Sequence, residues 1–167
     1  MLNSIRFKTA IVFGACAAFA TPASAGTQSA NLGVSATVTA NCSVSTTAVG
    51  FGTVDTLSAS EKLGTGSVSV TCTSGASWTA AADIGAGSGA TFATRRMTSS
   101  GNTLNYTLYT DSNRTIVWGD GTGTTATVGN TGSGSAQAFT VYGRVPGGQS
   151  SAPAGSYADT VGVTITY

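Results

Sequence analysis

The sequence predicts an all-β fold, an antiparallel sandwich of Greek-key type, from three observations. Short runs of strict apolar–polar alternation recur along the chain. Clusters rich in glycine, such as Gly85-Ala-Gly-Ser-Gly89, Gly119-Asp-Gly-Thr-Gly123 and Gly129-Asn-Thr-Gly-Ser-Gly134, separate these runs and read as chain reversals. After the first two dozen residues, no segment sustains the 3.6-residue period of an amphipathic helix. Evenly spaced short strands in an exported chain are the pattern of a sandwich.

The first element is a secretory signal, residues 1–25. Arg6 and Lys8 make a positive start, residues 10–20 are apolar, and Ala23-Ser24-Ala25 is an A-x-A cleavage site, so the mature chain is expected to begin at Gly26. The apolar run is far short of the roughly 20 residues that span a membrane, and no membrane insertion is expected. Cys16 lies inside the signal, where Phe13-Gly14-Ala15 makes a poor lipobox.

Residues 30–38, Ala-Asn-Leu-Gly-Val-Ser-Ala-Thr-Val, come next and alternate cleanly, with no turn residues folding them back. Val68, Val70 and Cys72 then share one face of a strand, Leu104, Tyr106 and Leu108 share another, and Phe139, Val141, Gly143 and Val145 a third. The final element is residues 157–167, eleven residues that alternate up to the last one and read as a single strand. The chain therefore reads as one strand long at its beginning and one strand short at its end. Lending a strand to a neighbour completes such a fold, which makes polymerisation the leading functional expectation.

Two cysteines follow the signal, Cys42 and Cys72. In an oxidising compartment they are most simply one disulfide, and with no histidine in the chain a metal site is not expected. On the chain-entropy model a bridge closing a loop of about 30 residues contributes roughly 3 to 4 kcal/mol.

Charged residues are only 8% of the chain, and removing Arg6 and Lys8 with the signal turns the formal net charge of +1 into −1. No basic stripe is present, so nucleic acid is not an expected partner. Low charge suits a protein that packs against copies of itself. A serine–histidine triad is excluded, and the six carboxylates, Asp55, Glu61, Asp83, Asp111, Asp120 and Asp159, mostly sit beside Gly, Ser or Thr as turn caps. No enzymatic activity and no cofactor are expected. Asp111-Ser-Asn113 lacks the glycine and glutamate of an EF-hand, Gly119, Gly121 and Gly123 precede no helix, and Arg95-Arg96 reads as a solvated edge. Trp78, Trp118, Tyr106, Tyr109 and Tyr142 are expected in the core or on strand surfaces; a carbohydrate-binding face is the alternative.

Several segments together resemble a known family. Pro153-Ala-Gly-Ser-Tyr-Ala-Asp-Thr-Val-Gly-Val-Thr-Ile-Thr-Tyr167 resembles the closing signature of spore coat protein U-like domains, the subunits of archaic chaperone-usher pili. Asn41-Cys42, Phe51-Gly52-Thr53, Val70-Thr-Cys72, Leu104-Asn-Tyr-Thr-Leu-Tyr109 and Val117-Trp-Gly-Asp-Gly121 agree with it.

The resemblance implies an incomplete immunoglobulin-like antiparallel β-sandwich lacking its final strand and completed by donor-strand exchange. Residues 26–40 would be the N-terminal donor-strand extension and 41–167 the pilin domain. Its implied partners are a periplasmic chaperone, an outer-membrane usher, and copies of itself or related subunits. Donor anchors would be Leu32, Val34, Ala36 and Val38, with Asn31, Gly33, Ser35 and Thr37 pointing outward; at about 1.5 to 3 kcal/mol per buried Val or Leu, they supply roughly 5 to 10 kcal/mol. A one-residue slip would put Ser and Thr into the groove. Val161, Val163, Ile165 and Tyr167 would border the acceptor groove and meet the chaperone. The implied function is a structural subunit of a surface pilus, exported through the periplasm and supporting adhesion and biofilm formation. A non-fibrous surface or spore-coat protein and a secreted carbohydrate-binding module are the alternatives.

Overall fold

The computed structural model describes residues 22–167, so residues 1–21 of the expected signal, Cys16 among them, lie outside the described residues. The chain divides into two units, residues 1–36 and 37–167. In the first, residues 22–36 are exposed throughout and belong to no strand. The second is built from strands, and no helix occurs among the described residues.

Eight strands follow one another: β1 (Cys42–Gly50), β2 (Lys62–Cys72), β3 (Ser77–Ala82), β4 (Arg95–Ser99), β5 (Asn102–Tyr109), β6 (Val128–Thr131), β7 (Gln137–Val145) and β8 (Val163–Thr166). They form a five-stranded sheet, β1-β2-β7-β5-β4, and a three-stranded sheet, β6-β3-β8. Every pairing is antiparallel. The architecture is an immunoglobulin-like sandwich, all-β as the alternation predicts.

The core takes the apolar face of each alternating run. Val68, Val70 and Cys72 come from β2, Trp78, Ala80 and Ala82 from β3, Leu104, Tyr106 and Leu108 from β5, and Val141 and Val145 from β7. Phe139 stacks on Trp78 at 6.5 Å and meets Trp118 edge-on at 5.6 Å, geometries that favour aromatic pairs. Each indole N–H finds an acceptor, Trp118 Nε1 the carbonyl of Ala80 and Trp78 Nε1 the amide oxygen of Gln137. Gly143 faces the core because Phe51 lies across it: a Cβ there would stand 2.7 Å from that ring.

Cys42 and Cys72 are register partners on β1 and β2, their Cα atoms 4.1 Å apart, and they form the disulfide. The bridge staples the edge strand of the larger sheet to its neighbour. β1 itself carries no sustained apolar alternation and leaves most positions exposed, so it is invisible as a strand until β2 offers its ladder.

Three expectations need correction. Residues 157–167 do not form one strand: Ala158 bridges to Thr98 of β4 in the larger sheet, and only Val163–Thr166 belongs to the smaller one. The carboxylate of Asp159 accepts from the Tyr106 hydroxyl and the Ala86 amide, which turns the chain between the two layers. Arg95 is not solvated; it is wholly buried, its guanidinium donating to the carbonyls of Asp83, Phe92 and Trp118. Gly129 to Thr131 do not reverse the chain but lie in β6, paired with β3. The turn caps at Asp55, Asp83, Asp111 and Asp120 form as expected, each accepting from backbone amides two to five residues ahead.

Candidate functional site

The two sheets are unequal, and their mismatch makes the site. Cross-strand partners point to the same face, so Val44 and Thr46 of β1, opposite Val70 and Val68, point inward. Yet Val44 is 43% exposed, because β8 ends the smaller sheet and, among the described residues, no strand lies beyond it to cover β1. Along β8 itself, β3 takes one edge and no strand among the described residues takes the other. An unpaired edge beside an uncovered apolar strip is a template for one more strand.

The space between is a groove of about 420 Å³. One bank is Thr46 to Val49 with Phe51, the other is Tyr157 to Val161 with Val163, and Val68, Leu108, Trp118 and Val141 form the floor. A second cavity of about 750 Å³ shares Val49, Phe51, Met97 and Tyr157 with it and continues the opening past Val54 and Ala152. Phe51 stands at their junction, edge-on to Tyr106 at 6.2 Å. Floor and banks are mainly apolar.

Of the C-terminal residues singled out in the sequence, Val161 and Val163 line the groove, half-buried. Ile165 sits on the same face of β8 and packs on the core but does not line the cavity. Tyr167 lies past the end of β8, 57% exposed. Of the residues expected as donor anchors, Leu32, Val34 and Val38 are each more than 80% exposed, and Ala36 is exposed as well. The opposite bank, Thr46 to Phe51, and the floor residue Trp118 are groove residues that alternation in the C-terminal run does not reveal. The signal of that bank in the sequence is Phe51, in the Phe51-Gly52-Thr53 segment.

Hydrogen bonds fix the bank that leads into β8. The Tyr106 hydroxyl donates to Asp159 Oδ2 at 2.6 Å, and burial, followed by this bond, pushes the Tyr106 phenol well above its ordinary value of 10.0. Burial holds the Arg95 guanidinium below its ordinary value, although Tyr106, Asp83 and Asp159 act in the opposite direction. Among the described residues no cluster of potential metal ligands occurs. No described helix is long and apolar enough to cross a membrane.

Comparison with known proteins agrees with this fold. The model of the Spore Coat Protein U domain matches residues 27–164. The chain belongs to the Spore Coat Protein U domain family. Protein U of Myxococcus xanthus, a relative, is 40% identical over 184 residues, covering 99% of this chain and 100% of the relative. A similar solved structure is a chain of the CsuC–CsuE chaperone–tip adhesion subunit pre-assembly complex from the archaic chaperone-usher Csu pili of Acinetobacter baumannii. Its TM-score is 0.58 at 20% identity, over 78% of this chain and 40% of that one, so this chain spans under half of its length. At that identity the likeness concerns the fold.

Proposed function

We propose that this Spore Coat Protein U domain chain is a polymerising structural subunit of a chaperone-usher surface pilus. Its groove accepts residues 30–38 of a neighbouring copy or related subunit. The observation that carries this reading is the coexistence, in one chain, of an uncovered apolar groove with a free strand edge and of an exposed segment whose apolar residues alternate. The groove is the acceptor, bordered by Val161 and Val163, with Ile165 and Tyr167 continuing toward the chain end as chaperone contacts. Leu32, Val34, Ala36 and Val38 are the donor anchors, in an extension covering residues 26–40 ahead of a pilin domain at 41–167. Residues 1–25 direct export through the periplasm, a periplasmic chaperone holds the groove until assembly, and an outer-membrane usher delivers the subunit to a fibre on the cell surface. Adhesion and biofilm formation belong to that fibre, and the subunit itself has no enzymatic role.

Size-exclusion chromatography of the exported chain, with and without a pilus chaperone, tests this reading beside a variant whose residues 27–38 are moved to follow Tyr167. Chaperone capture and polymers from the native chain, with a stable monomer from the rearranged one, are the expected results. A native chain that is already a stable monomer and ignores the chaperone would overturn it.

The full-length match to Protein U favours one second reading, a coat built by the same strand exchange without long fibres. Electron microscopy of the assembled material separates the two, since a coat shows layers where a pilus shows filaments.

A further inference from the structure

We propose that Tyr106 and Asp159 form a clasp that positions the groove bank for strand capture, an inference that rests on the reading above. Between Ala158 and Val163 the chain crosses from one sheet to the other. At the first end Ala158 exchanges backbone hydrogen bonds with Thr98 of β4 at 2.8 and 3.1 Å. At the second, Val163 begins the pairing with β3. The side chain of Asp159 ties the crossing down between these points. Its carboxylate takes the Tyr106 hydroxyl at 2.6 Å and the amides of Ala86 and Thr160 at 2.8 Å each.

The surroundings are shaped to this one carboxylate. Gly85 adopts φ +82°, and a Cβ there would collide with the Asp159 carboxylate. A second tie backs it up: the Asp83 amide donates to the Gly162 carbonyl at 3.0 Å, while buried Arg95 holds the Asp83 carbonyl. Among the described residues no strand lies on the outer edge of β8, so in the empty subunit these ties determine where the bank stands. Once a donor strand is seated, its backbone ladder holds the bank as well. Loss of the clasp therefore burdens capture more than it burdens the completed sandwich.

Asp159→Asn and Tyr106→Phe test this in the full exported chain and in the rearranged variant carrying residues 27–38 after Tyr167. One measurement is the rate at which the chaperone-released chain takes up a labelled peptide of residues 27–40. The other is the urea midpoint of the rearranged form. Capture is expected to slow by about tenfold in each variant, the size of one charge-assisted hydrogen bond. The double variant should be little slower than either single one, because Tyr106→Phe removes the hydroxyl and Asp159→Asn the charge of the one bond between them. The urea midpoint should change little by comparison. Unchanged capture, or a midpoint that falls in step with capture, would overturn the clasp. An unsubstituted chain that takes up no peptide would instead overturn the pilus reading, and the clasp's role with it.

Discussion

At Arg95 a single side chain does what several backbone bonds do elsewhere. It joins the end of β3, the 92 turn and the strip at Trp118 by donating to three carbonyls from a wholly buried side chain. Arg95→Met, similar in length but without donors, leaves the buried Trp118 carbonyl without its donor, and an unsatisfied buried polar group costs about 1 to 3 kcal/mol. Urea denaturation of the rearranged variant should therefore show a loss of about 1 to 3 kcal/mol. The exposed carboxylates act in the opposite sense. The amide of Ile116, then Thr115, holds Asp111 below its ordinary value of 3.8; the Thr122 hydroxyl, then its amide, does so for Asp120. A depressed folded-state pKa means stability that is present above pH 3.8 and lost as pH falls through the lower folded value. Acid titration followed by amide exchange should show the 111–116 and 120–125 turns opening below that pH, and Asp111→Asn should remove the pH dependence of the first. Val34→Asp tests the donor side: a carboxylate at an anchor should abolish polymerisation on size-exclusion chromatography while chaperone capture persists, because the acceptor groove is untouched.

Among the strands, β1 depends most on its neighbour. It lies at the edge with few buried side chains, and its hold on the sheet is the β2 ladder and the Cys42–Cys72 bridge. Since the bridge closes a separation of 30 residues, replacing both cysteines by serine should cost roughly 3 to 4 kcal/mol in denaturant titration of the rearranged variant. The groove loses one bank if β1 frays, so the same variant should also release bound donor peptide faster. In β8 the alternation is apolar-in and polar-out as the sequence reads, but only four residues pair. Residues before it belong to the crossing between sheets, a role that periodicity does not distinguish from a strand because bridged and paired residues alternate alike.

For the whole molecule, the sandwich has five strands facing three. That inequality, rather than any single residue, leaves Val44 exposed and opens a groove floored by Trp118 and Leu108. Deleting residues 27–38 should leave a subunit that a chaperone still captures but that never polymerises with its own kind, as read by light scattering after chaperone release. Supplying a peptide of residues 27–40 should cap it as a stable monomer. A deletion variant that still forms fibres would overturn donation by this segment.

The class of fold and its core were legible in the sequence because burial on a pleated strand imposes a period of two. Val68, Val70, Leu104, Leu108, Val141 and Val145 are all buried as their alternation reads. The pairing of Cys42 with Cys72 was legible too, and it forms. The exposed alternation of residues 30–38 was equally plain. What the tertiary structure decided was non-local. Only strand order makes β1 and β8 the two banks of one groove, and only the assembled core turns Arg95 from a surface charge into a buried hub. The clasp between Tyr106 and Asp159 joins residues 53 apart, a proximity that no local pattern encodes. Alternation reports which face of a strand meets apolar surroundings; which strand lies opposite, and where one is missing, is settled when the sheets pack.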